Sequence, residues 1–199
     1  MEKEFKNYEE FIRQIEDADP EMILPNWIAK VPEQEIFAIK KVIPIKARIL
    51  PEGEFHVIRV KLTDTLRQLM ASIAAEFQIV ILPPEPLDPY DQLFCYGRHD
   101  DLIGPLTDLS LPLWRLLVQY HCKRKFGLKL ITSFKVNTTW LIAPKDQMTP
   151  REILALCGMD YTQFTLYLPD SADPLPLDET RTINRGDCFE AIKDGRYGE

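Results

Sequence analysis

The sequence predicts an α+β protein. It reads as two tandem units of strand–strand–helix–strand form behind an N-terminal extension that carries a short helix. Three observations lead there. Apolar–polar alternation broken by a turn occurs near Ile45 and again near Phe134, the pattern of a hairpin with one wet face. Each hairpin is followed by a capping box ahead of an apolar stripe at helical spacing, Thr65-x-x-Gln68 and Thr149-Pro150-Arg151-Glu152. Each helix then gives way to short apolar runs, the last being Cys188 to Ile192. The expected division is an extension at 1–43, a first unit at 44–122, a linker at 123–126, a second unit at 127–193 and a tail at 194–199.

In the extension, Tyr8, Phe11, Ile12 and Ile15 recur at helical spacing; Ile23, Leu24, Trp27 and Ile28 follow between prolines. An arm lying on the first unit is expected. In that unit, Ile45, Ala47 and Ile49 alternate with Lys46 and Arg48, Pro51-Glu52-Gly53 turns the chain, and Ile58, Val60 and Leu62 return. Leu66, Leu69, Met70, Ile73 and Phe77 form the helical stripe, which Pro83-Pro84 ends. A strand follows at Gln92-Leu93-Phe94-Cys95-Tyr96, and a last strand is expected within Leu113 to Tyr120. In the second unit, Leu128, Leu130, Phe134 and Val136 make the first strand and Thr138 to Ile142 the second. Ile153, Leu154 and Cys157 face the core, with Gly158 as the left-handed helix stop. Phe164, Leu166 and Leu168 form the next strand before the closing one.

The 199 residues are 45% hydrophobic and 28% charged, ordinary globular composition, and the net charge of -7 argues against a nucleic-acid binder. Met1-Glu2-Lys3-Glu4-Phe5-Lys6 lacks the apolar core of a signal peptide, and no stretch is long enough to span a bilayer. Cys95, Cys122, Cys157 and Cys188 form no CxxC pair and are expected as reduced thiols in the cytoplasm.

A hairpin, a helix across it and further strands completing a mixed sheet describe the β-grasp architecture. The first unit resembles ubiquitin in its double proline Pro83-Pro84, in the strand and turn Asp91-Gln92-Leu93-Phe94-Cys95-Tyr96-Gly97, and in Leu106-Thr107-Asp108-Leu109-Ser110-Leu111 before the last strand. The second resembles the bacterial multiubiquitin-type domains in Thr149-Pro150-Arg151-Glu152-Ile153-Leu154-Ala155-Leu156-Cys157-Gly158 and in the closing run up to Gly198. The chain from about Pro44 to Glu199 is thus similar to the tandem ubiquitin-like modifiers of bacterial anti-phage conjugation operons.

That resemblance implies a protein substrate of a conjugation pathway, not an enzyme, with no cofactor or metal. A deconjugating protease would remove Glu199. An activating enzyme would adenylate the Gly198 carboxylate and hold it as a thioester, and a conjugating enzyme would pass it to amines on target proteins, phage structural proteins among them. Arg196 and Tyr197 would be read by those enzymes' grooves, while Asp194 and Gly195 keep the tail extended and mobile. Ubiquitin ends in two glycines; Tyr197 before Gly198 demands a wider slot. Two other classes stay open: a fixed tandem scaffold that ignores its tail, and a sulfur carrier with a terminal thiocarboxylate, which the tandem arrangement disfavours.

Other candidate chemistry is weaker. His121-Cys122 are adjacent, so on a strand they point to opposite faces and make no nucleophile–base pair. His99-Asp100-Asp101 reads as a turn rather than a metal site. Lys123-Arg124-Lys125 reads as a solvated linker, and Trp27, Trp114 and Trp140 as packing residues.

Overall fold

The structure, a computed structural model, describes residues 7–195. The chain divides into two compact units: one holds the residues up to Ile81 together with Asp91–Leu130, the other Leu82–Tyr90 together with the residues from Ile131 onward. Both mix helices with mixed sheets, the α+β class.

The first unit begins with helix α1 (Tyr8–Gln14), whose Asn7 side chain accepts the Glu10 N–H at 2.9 Å. A 3₁₀ turn at Asn26–Lys30 and helix α2 (Glu33–Ala38) follow. Phe11, Ile15 and Ile36 are completely buried in the same core as the sheet, and Phe11 meets Trp27 edge-to-face at 6.0 Å. The extension is therefore not an arm lying on the unit; it supplies part of the core.

Strands β1 (Val42–Ile49) and β2 (His56–Lys61) form the expected hairpin, with Ile45 opposite Ile58. Helix α3 (Leu66–Glu76) starts at the expected capping box, with the Thr65 N–H donating to the Gln68 side chain at 2.8 Å. Its Leu66, Leu69, Met70 and Ile73 are buried as the stripe requires. Strand β3 (Gln92–Tyr96) and the short β4 (Leu102–Ile103) come next.

The sequence reading then fails at two elements: the run Leu113 to Tyr120, and the single strand expected from Leu128 to Val136, which is two strands, Lys125–Lys129 and Ser133–Val136, in different sheets. Leu113 to Tyr120 is not a strand but helix α4 (Leu113–Gln119), begun at Pro112. Its buried residues, Leu113, Trp114, Leu116 and Leu117, fall on one helical face, and a short apolar run fits either period. The closing strand is β5 (Lys125–Lys129), running parallel to β1 and antiparallel to β3 in a sheet of order β2-β1-β5-β3-β4. The expected linker at 123–126 and the boundary at 127 are thereby corrected: the stretch leads into the middle strand of the first sheet. A Cβ at Gly127 would come within 2.8 Å of the Leu50 side chain, so any larger residue there would have to displace it.

The second unit has strands β6 (Ser133–Val136) and β7 (Thr139–Ile142), with Asn137 in the left-handed region at φ 53° in the turn between them. After β8 (Gln147–Met148), helix α5 (Pro150–Leu156) opens on the expected capping box and is stopped by Gly158 at φ +71°. Strands β9 (Phe164–Tyr167), β10 (Arg181–Thr182) and β11 (Cys188–Lys193) complete a four-stranded sheet β7-β6-β11-β9 and a separate β10-β8 pair. Strand β9 ends at Tyr167, and Leu168, expected within it, is exposed. Strand β11 is parallel to β6 and antiparallel to β9. Phe134 and Phe189 meet edge-to-face at 5.9 Å in a core with Ile153, Leu154 and Leu166.

Leu82–Tyr90 belongs to this unit although it leaves α3 and returns to β3 of the first. The Tyr90 hydroxyl donates to the Trp140 carbonyl at 3.0 Å, and Leu82 packs where Gly186 leaves room. Among the described residues no helix is long and apolar enough to cross a membrane.

Candidate C-terminal conjugation site

The tail leaves the second unit from β11, so what fixes that strand fixes where the tail starts. On one side β11 pairs with β9 as far as Lys193 opposite Phe164. On the other, β6 stops at Val136, and the Asn137 side chain takes over as backbone partner. Its amide donates to the Ala191 carbonyl at 3.1 Å and its oxygen accepts the Ala191 N–H at 2.9 Å. An asparagine that tolerates the left-handed turn thus also extends the ladder by one rung.

Asp194 continues the same pairing. Its N–H donates to the Gln163 carbonyl at 2.8 Å, and its carboxylate accepts the Thr165 hydroxyl at 2.7 Å. The turn that presents Gln163 is itself pinned by Asp160, whose carboxylate takes the Thr162 N–H and hydroxyl at 2.9 and 2.8 Å. Those two bonds, backbone first, hold the Asp160 carboxyl below the usual range. The expectation that Asp194 is mobile is therefore corrected: it is the anchor of the tail. Gly195 is exposed, with nothing within 4 Å of the position a Cβ would take. Thr162, Gln163, Lys193, Asp194 and Gly195 line an open depression of about 580 Å³. Arg196, Tyr197, Gly198 and Glu199 lie outside the described residues.

The remaining candidates resolve into structure. Lys123-Arg124-Lys125 is not a solvated linker. Arg124 is fully buried, and its guanidinium donates to the carbonyls of Pro44 (3.3 Å), Ala18 (3.0 Å) and Asp19 (2.6 Å). Burial draws its pKa down to about 10, which leaves it charged at neutral pH. Lys123 and Lys125 both reach Asp100 at 2.8 Å and Glu21 at 3.1 and 3.3 Å. The Asp100 carboxylate, in the run read by sequence as a turn rather than a metal site, is thus held by two ammonium groups, which bring its pKa to about 2. His121 is exposed in a left-handed turn at φ 46° while Cys122 is buried, a helix end rather than a strand end. Trp114 is buried; Trp27 and Trp140 are half-buried. Sequence reasoning missed the Arg124 clamp, although Phe126 and Leu128 between Lys125 and Lys129 already show strand alternation.

No protein-family model matches this chain, and no curated protein was found to match it.

Proposed function

We propose that this chain is a tandem ubiquitin-like protein modifier acting in the cytoplasm. It would be processed to Gly198, activated by adenylation and thioester formation, and conjugated to amines of target proteins in anti-phage defence. The observation that supports the reading most is the recurrence of one sheet plan. In the first unit the order β2-β1-β5-β3-β4 sets the last strand parallel to the first, and in the second β7-β6-β11-β9 does the same. Each hairpin is followed by a capped helix. This plan supports a β-grasp reading of both units, and it sets the last strand between two neighbours, so a tail leaving it starts from a strand paired on both sides. An extended chain spans at most about 3.3–3.6 Å per residue, so Gly198 reaches no more than about 14 Å from the Asp194 anchor. The activating, conjugating and deconjugating enzymes would have to meet it there.

One observation favours a second reading, a fixed tandem interaction module: Asp194 is tied to the sheet, which shortens the free tail. A single experiment separates the two. The chain is co-expressed with the enzymes encoded beside it, and target proteins are digested and searched for amines carrying a remnant that ends in Tyr197-Gly198. Such remnants, absent when Gly198 and Glu199 are deleted, are the expected result. Glu199 retained on every copy in active cells would rule out the modifier.

A further inference from the structure

Strands β2, β1, β5 and β3 contain six lysines and arginines and not one aspartate or glutamate. Alternation puts all six on one face. Ile45 and Ala47 on β1, Ile58 and Val60 on β2, and Phe126 and Leu128 on β5 are buried in the core, so the residues between them point the other way. That outer face carries Arg59 and Lys61 on β2, Lys46 and Arg48 on β1, and Lys125 and Lys129 on β5. Register gathers them: Lys46 lies beside Lys125, Arg48 beside Gly127, and Lys129 opposite Gln92. Like charges on neighbouring strands oppose one another. Glu21 and Asp100, from outside these strands, offset only part of this. Lys46 and Lys125 meet Glu21 at 3.0 and 3.3 Å, and Lys125 meets Asp100 at 2.8 Å. Arg59, Lys61 and Lys129 are exposed, with no carboxylate partner among the described residues. The net charge of -7 is a sum that conceals this basic face. Apolar side chains stand among the cations. Val57, opposite Lys46, is 60% exposed, and Phe94, opposite Gly127, is half-buried. The half-buried Phe55 ring takes the Arg48 guanidinium at 4.8 Å and the Lys125 ammonium at 4.9 Å.

We propose that this outer face binds a single-stranded nucleic acid, with phosphates against Arg59, Lys61 and Lys129 and bases against the rings of Phe94 and Phe55. The rings decide between polyanions. A carboxylate-rich peptide engages the cations alone, and a duplex keeps its bases stacked inside. A single strand offers both its phosphates and its free bases, and it is held where aromatic rings stand among cations. Only the three unpartnered cations are free to meet phosphates. Their counterion release gives a slope of about -2 for log affinity against log salt.

The test uses the full chain and a fluorescein-labelled oligothymidine, with binding read by fluorescence anisotropy from about 50 mM salt upward. Saturable binding with that slope is the expected result. Arg59→Glu with Lys61→Glu should weaken it about tenfold or more. Arg13→Glu with Lys30→Glu, an equal change of charge in the N-terminal segment, should leave it unchanged. Phe94→Leu and, independently, Phe55→Leu, each checked for folding by circular dichroism, should weaken binding about fivefold with the salt slope kept. Absence of binding by the parent would overturn the proposal, as would equal losses in the two charge-reversed variants. So would parent-like binding by a folded phenylalanine variant, or polyglutamate that competes as well as unlabelled oligothymidine.

Discussion

Replacing Arg124 by methionine is the sharpest probe of how the first unit holds its N-terminal segment. The change keeps an unbranched stem in the pocket and removes the guanidinium from three carbonyls, those of Pro44, Ala18 and Asp19. A buried acceptor left unsatisfied costs about 1–3 kcal/mol, the full range for Pro44 and less for Ala18 and Asp19, whose bonds are only partly buried, so the three together would cost several. Against this, the variant no longer buries a charge, a saving that in other proteins has made apolar replacements neutral or stabilising. The acceptors here are backbone oxygens that cannot be replaced together with the arginine, so the loss should prevail, by about 3 kcal/mol. For a unit of this size that lowers the unfolding temperature by about 10 °C. Urea unfolding followed by circular dichroism gives the free energy. Hydrogen exchange gives the location: faster exchange at Ile15 and Leu24, which flank the clamped carbonyls, with Phe134 and Ile153 in the other unit unchanged. A variant as stable as the parent, or one whose loss spreads evenly over both units, would refute the clamp.

Other outcomes follow from the same contacts. Asp100 is ionised at a pKa of about 2 when folded and about 4 when unfolded, so the unfolded chain takes up the proton first. Its contribution is present above about pH 4 and fades toward about pH 2, a slope in the urea midpoint that Asp100→Asn should flatten. Leu69→Ala and Ile153→Ala each open a cavity beneath a helix and should cost about 2–5 kcal/mol, seen by calorimetry as a lowered transition of the unit that carries the change. Gly158→Ala meets no atom within 4 Å yet forces a left-handed alanine, so it should cost about 1–2 kcal/mol, whereas Gly195→Ala should leave the unfolding temperature within error.

Much of this fold could be read ahead of the coordinates because the signals were local. Thr65 with Gln68, and Thr149 with Glu152, cap their helices through side chains three residues apart, so sequence spacing and contact are the same fact. The Ile45–Ile58 hairpin was legible for a like reason: alternation sets which face is wet. What failed depended on distant partners. Leu113–Gln119 became a helix because its apolar face packs on the first core, a choice its own residues left open. Phe126 was read as linker and Leu128 went to the wrong unit because nothing nearby says that Lys125 lies beside Lys46. Arg124 looked like linker because lysines flank it and the carbonyls it serves are about a hundred positions upstream. At the tail, the Asp194 anchor was missed since its partners, Gln163 in the turn before β9 and Thr165 on β9, are about thirty positions upstream.

The placement of β5 also sets an order of events during synthesis. When the chain has emerged as far as Gln119, the first unit has its N-terminal helices, its hairpin, α3, β3 and α4, but a gap stands between β1 and β3 where the middle strand belongs. Pairing such as Lys46 with Lys125 links distant parts of the chain, and contacts of that kind form late and slowly. Until Lys129 is delivered, two unpaired strand edges face each other across the gap, open to any extended peptide nearby. A nascent chain stalled short of Lys125 should therefore be held by chaperones, and one stalled well beyond Lys129 should be released.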